Sequence, residues 1–143
     1  MKVLVIHGAG LNMRGKVQLE VFGPMTLPQY EEHIRGYAKD LGIEVAFFHS
    51  NIEGEVCNRL FEAFDSDIAG VVINPGGYTT VSGPLRAAIA MMKFPVIEVH
   101  LSNPTARGAV SVMQPVCKAS VYGFGIESYK YALTGLKSLV AKK

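Results

Sequence analysis

Lys2–His7 (KVLVIH), closed by Gly8, is an unbroken run rich in β-branched residues. A run apolar on both faces suits a strand covered above and below, as strands of parallel sheets are. Runs of the same kind recur at Glu44–Phe48 (EVAFF), Gly70–Asn74 (GVVIN), Pro95–His100 (PVIEVH) and Ala119–Tyr122. Helical patterns lie between them. Thr26–Leu41 has Thr26 as N-cap, Pro28 in its first turn and Gly42 as its stop. Asn51–Asp65 sets Val56, Leu60, Phe61 and Phe64 on one face; Ser82–Lys93 is short; Ile126–Ala141 closes the chain as an amphipathic helix. Strands alternating with helices predict an α/β fold, a five-stranded parallel sheet with helices on both faces. The handed crossover rule favours a flavodoxin-like strand order.

The chain has 143 residues, 49% hydrophobic and 18% charged, which predicts a single domain over residues 1–143 with a real core. Net charge is +2 and the basic residues are dispersed, so no nucleic-acid partner is expected. The apolar runs are too short and too interrupted to span a membrane, and the N-terminal residues lack a signal-peptide pattern, so the expected location is cytoplasmic. Cys57 and Cys117 match no metal spacing and read as free thiols.

In such sheets ligands bind beyond the carboxyl ends of the strands. Those ends carry His7-Gly8-Ala9-Gly10, His49-Ser50-Asn51, Asn74-Pro75-Gly76-Gly77 and His100-Leu101-Ser102-Asn103. His100 is placed to exchange a proton near neutral pH, or to be held by a backbone carbonyl. Asn74 offers an amide to a ligand, and Gly76 and Gly77 let a ligand approach the backbone; an ordinary turn has the same sequence. The first loop lacks the third glycine of a dinucleotide fingerprint and the Lys-Ser/Thr of a P-loop. Arg14 and Lys16 make the next segment basic, suited to an anion or simply to solvent. His33, mid-helix, reads as a solvated or packing residue. Met91, Met92 and Phe94 fit either a contact face or the core.

Leu4-x-Ile6-x-Gly8-x-x-Leu11-Asn12, His49–Glu55 (HSNIEGE), Ile73–Thr79 (INPGGYT), Ile97–Asn103 (IEVHLSN) and Gly123-Phe124-Gly125 followed by Tyr129 span nearly the whole chain. Together they resemble the type II 3-dehydroquinate dehydratase (type II dehydroquinase) family. The resemblance implies a flavodoxin-like subunit, a dodecamer built of trimers, a small carboxylic acid as ligand, and no metal or organic cofactor. It implies His100 as the acid that protonates a leaving hydroxyl. It also implies Asn74, Gly76, Gly77, Leu101, Ser102 and Arg107 as substrate-binding residues, with the Leu101–Ser102 backbone cradling a carboxylate.

The resemblance breaks at particular positions. Where the family has its loop arginine and its tyrosine base, this chain has Val17 and Phe22. The asparagine that holds a water near the enolate aligns with Gly10, the histidine after the third strand with Thr80, and an acid reaching a neighbouring site with Ala87. The second arginine after strand four is absent, and Gly108–Gln114 is apolar and shorter. A phenol needs an adjacent cation to act as a base at neutral pH, and a benzyl ring cannot act as one at all. Three readings follow: an acid–base enzyme for another small cyclic hydroxy or keto acid, with His7 as a second proton-transfer group; a non-catalytic metabolite-binding or subunit-partner relative; or dehydration of dehydroquinate by another base, Tyr30 or Tyr78.

Overall fold

Five strands form one parallel sheet in the order β2-β1-β3-β4-β5: β1 (Lys2–Ala9), β2 (Glu44–His49), β3 (Ile68–Gly76), β4 (Val96–His100) and β5 (Ala119–Tyr122). The structure is a computed structural model that describes residues 1–142. The flavodoxin-like expectation holds. Alternation along the central strands divides the core in two. Leu4 and Ile6 of β1 and Val71 and Ile73 of β3 face α3 (Glu53–Phe64) and α4 (Gly83–Ala90). Val3, Val5, Val72, Ile97 and Val99 face α2 (Leu27–Leu41) and α5 (Glu127–Ala141). Each fully buried aliphatic side chain contributes about 1.5–3 kcal/mol, so the sheet centre carries much of the stability.

α2 shows how the sequence positions the site. Thr26 and Gln29 form a capping box: the Thr26 hydroxyl accepts from the Gln29 N–H, and the Gln29 side chain accepts from the Thr26 N–H. Gly42 ends the helix with φ 70°. Tyr30, Ile34 and Ala38 recur at i, i+4 and i+8 and are buried against the sheet. A right-handed crossover starts its helix beside the carboxyl ends of the strands. Tyr30, in the first turn, therefore stands at that end of the sheet.

Several boundaries differ from expectation. β1 continues through Gly8 because a Cβ there would lie 1.9 Å from the Pro75 carbonyl oxygen; only glycine lets β1 and β3 pair this closely. β3 accordingly runs on to Gly76, opposite Ala9, and the turn falls after it. α3 starts two residues later than Asn51. The Ser50 hydroxyl closes a turn onto the Ile52 N–H, and the Asn51 side chain accepts from the Gly10 N–H instead of capping the helix. α4 stops at Ala90, three residues before Lys93, and Pro95 keeps Phe94 out of the helical region. A short helix, α1 (Leu19–Phe22), was not expected; it has no side-chain cap and opens on Gln18 at φ 51°. Of the supposed contact face, Phe94 is buried in the core, Met92 packs against it, and Met91 alone is well exposed.

Candidate active site

The topological switch point lies between β1 and β3, and a cavity of about 470 Å³ opens there. β1 supplies Ala9, with Gly10 just after it; β3 supplies Asn74 and Gly76, and β4 supplies His100; Leu101, Ser102 and Arg107 follow it. Gly77, Thr79 and Thr80 line it from the turn after β3. Every residue expected to bind substrate is thus at one cavity. So are Arg14, Val17, Phe22 and Tyr30.

One wall is built on β4. Its register sets Glu98 opposite Ile73, at the buried centre of the sheet. Glu98 is buried, and its Oε2 lies 2.7 Å from His100 Nε2. Ser111 donates to the same oxygen and Ser120 to Oε1, at 3.0 Å. Burial alone would push the Glu98 carboxyl's pKa up. The hydrogen bonds from His100, Ser111 and Ser120 outweigh it and hold the group below the usual carboxylate range. An ionised Glu98 accepting from Nε2–H fixes the imidazole tautomer and leaves Nδ1 as its working nitrogen. Nδ1 has no hydrogen-bond partner among the described residues. Arg107, next along, donates to the Ser102 hydroxyl.

Asn74 is held from behind. Its Nδ2 donates to Tyr129 Oη at 3.1 Å, and its Oδ1 accepts from the Gly76 N–H at 3.3 Å. An amide carries two N–H groups and two lone pairs, so one of each remains for a ligand.

The other wall comes from the β1 loop, α1 and the start of α2. The Arg14 guanidinium lies over the Phe22 ring, 3.6 Å from its centroid, and Arg107 reaches the same ring at 5.4 Å. Tyr30 is fully buried, and its hydroxyl has no hydrogen-bond partner of normal geometry. Burial pushes its pKa up, against the pull of the neighbouring Arg14 charge, so at neutral pH it is a phenol. No acidic residue lines the cavity. Among the described residues no group of three or more His, Cys, Asp or Glu is placed to hold a metal.

The remaining candidates lie elsewhere. His7 does not line the cavity: it is fully buried, with Nε2 3.0 Å from Glu31 Oε2 and its ring stacked on Phe47. Burial first, then the nearby His49, lowers its pKa to about 3, so it is neutral. β3 also separates β1 from β4, against the expected closeness of His7 and His100. Tyr78 donates to the Ser50 carbonyl and is away from the cavity. Lys16 and His33 do not line it either. Sequence reasoning missed Ser111, in a segment read only as apolar, and Tyr129 behind Asn74. A lone hydroxyl in an apolar run gave no signal; a tyrosine at a buried helix position could have.

Comparison with known proteins gives a consistent picture. The family described as Dehydroquinase class II matches residues 1–137. A 3-dehydroquinate dehydratase of Sulfurovum sp. is 37% identical, covering 99% of this chain and 89% of that protein. One of Caldicellulosiruptor saccharolyticus is 40% identical, over 97% of this chain and 98% of its own. The type II dehydroquinase of Butyrivibrio crossotus has a TM-score of 0.91 at 35% identity, covering 96% of this chain and 97% of that one. A 3-dehydroquinate dehydratase-like protein from Bifidobacterium longum has a TM-score of 0.76 at 28% identity, covering 99% and 98%.

Proposed function

Since the chain belongs to the class II dehydroquinase family, we propose that it is a hydro-lyase for a small hydroxy or keto carboxylic acid, driven by His100. On this reading 3-dehydroquinate is a poor substrate, because Phe22 stands at the family's base position and has no ionisable group. The observation that carries it is the Glu98–His100 pair, 2.7 Å apart and opening on a cavity with no other imidazole or carboxylate.

That pair suffices for an elimination. Nδ1 of neutral His100 takes the proton from the carbon next to a carbonyl, and the electron pair moves onto the carbonyl oxygen as an enolate. Glu98 stabilises the imidazolium. The enolate collapses to a double bond, the neighbouring C–O bond breaks, and the same imidazolium protonates the departing hydroxyl to give water. One imidazole working on one face requires both groups to leave from that face. Leu101, Ser102 and Arg107 hold the carboxylate and Asn74 a hydroxyl.

Two alternatives fare less well. A collapsed apolar plug would suit a non-catalytic relative, whereas this cavity is open and has polar groups on both walls. Tyr30 does line the cavity, but its raised pKa makes it a donor at neutral pH, not a base. The test is a screen of hydroxy and keto acids by thermal shift, then turnover assays on the hits with wild type and His100→Asn. His100-dependent water loss supports the reading. Turnover that survives His100→Asn, or vanishes from kcat alone in Tyr30→Phe, overturns it.

A further inference from the structure

Arg14 is a half-buried guanidinium with five N–H donors, yet among the described residues its side chain has no ion pair, and the partner of its side chain is the neutral Tyr30 hydroxyl. A charge removed from water without a counter-charge is costly. That hydroxyl is buried and, since a guanidinium only donates, its O–H has no acceptor; buried polar groups are rarely left so. Arg107 adds a second positive charge beside the same Phe22 ring. The cavity brings no acid to balance either arginine.

We propose that Arg14 and Tyr30 form a second oxyanion subsite, sharing the Phe22 ring with Arg107, so that the ligand is a small acid with two anionic oxygen groups. One carboxylate sits at the β4 wall. The second group, a carboxylate of the same molecule, accepts from the Arg14 guanidinium and the Tyr30 hydroxyl. Phe22 holds the guanidinium by its ring face and shields it from water, so each contact is worth more than in solvent. A planar guanidinium fork is suited to a carboxylate's two oxygens.

This inference deepens the proposed function by naming its substrate class, but it concerns binding and is tested without turnover. The probes are cyclohexanecarboxylate and cis-cyclohexane-1,3-dicarboxylate, titrated calorimetrically into wild type, His100→Asn, Arg14→Met and Tyr30→Phe at low salt. Wild type and His100→Asn are expected to bind the dicarboxylate about tenfold or more tighter than the monocarboxylate. Arg14→Met is expected to erase that preference while changing monocarboxylate affinity by less than about twofold. Tyr30→Phe, which removes the hydroxyl donor, should reduce the preference. Equal affinity for the two probes, no binding of either, or an Arg14→Met loss shared by both ligands overturns the subsite. A dicarboxylate preference with no turnover of any acid leaves the subsite standing and removes the elimination reading instead.

Discussion

At the β4 wall of the cavity a carboxylate, an imidazole and two serine hydroxyls satisfy one another, and Arg107 leans on Ser102. At the β1 wall a guanidinium rests on a phenyl ring, and a phenol ends without a hydrogen bond of normal geometry. The first wall is complete before any ligand arrives; the second has donors to spare. A satisfied network rigidifies and sets direction, which suits proton transfer. An unsatisfied one keeps its binding capacity for whatever enters. On the proposed reading, chemistry falls to β4 and ligand selection to the loop and α2.

The contrast is broken most severely at His100. His100→Asn should lower turnover of any hydroxy-acid substrate by about 10²–10⁴, measured as kcat in a steady-state assay. Glu98→Ala strips a buried imidazole of its partner and leaves the Ser111 and Ser120 hydroxyls without their acceptor. It should cost about 3–5 kcal/mol in a denaturant melt, whereas Arg14→Met, which breaks no ion pair, should cost no more than about 1 kcal/mol. Acid should act on the satisfied wall as well. Glu98 titrates lower in the folded chain than unfolded, so its contribution is complete above the usual carboxylate pKa and is lost as pH falls through the folded value. His7 adds an earlier loss. Its folded pKa of about 3 lies below the unfolded 6.5, so Tm should begin to fall below pH 6.5 and go on falling toward 3. His7→Gln should flatten the upper part of that curve. The smallest effect belongs to Phe22→Leu, which removes the ring under Arg14. It should cost about 0.5–1 kcal/mol of dicarboxylate affinity by calorimetry and leave kcat unchanged.

The sheet was legible because its central strands are buried on both faces, so Val3–Ile6 and Val71–Ile73 read as apolar runs with no competing pattern. The β4 wall was legible for a related reason: His100, Leu101 and Ser102 are consecutive, and their spacing from the strand fixes their place. The β1 wall is assembled from residues 14, 22 and 30, on a loop and two helices, and no local periodicity connects them. Arg14 could be read as an anion ligand or as solvated, and only the fold shows it over Phe22 without a counter-charge. His7 misled because position at a strand end looked the same as at His100. What separates them is depth, since His7 points to Phe47 and Glu31 and away from the cavity. Ser111 was hidden by its apolar neighbours, and only the fold brings it onto Glu98.

The benzyl group at position 22 cannot abstract a proton. The most direct measurement is the rate of conjugated-enone formation from 3-dehydroquinate, comparing wild type with the Val17→Arg/Phe22→Tyr double variant. The expected wild-type rate is at or near background, and the expected variant rate about 10²-fold or more higher. Rapid enone formation by wild type, unimproved in the variant, would contradict that expectation.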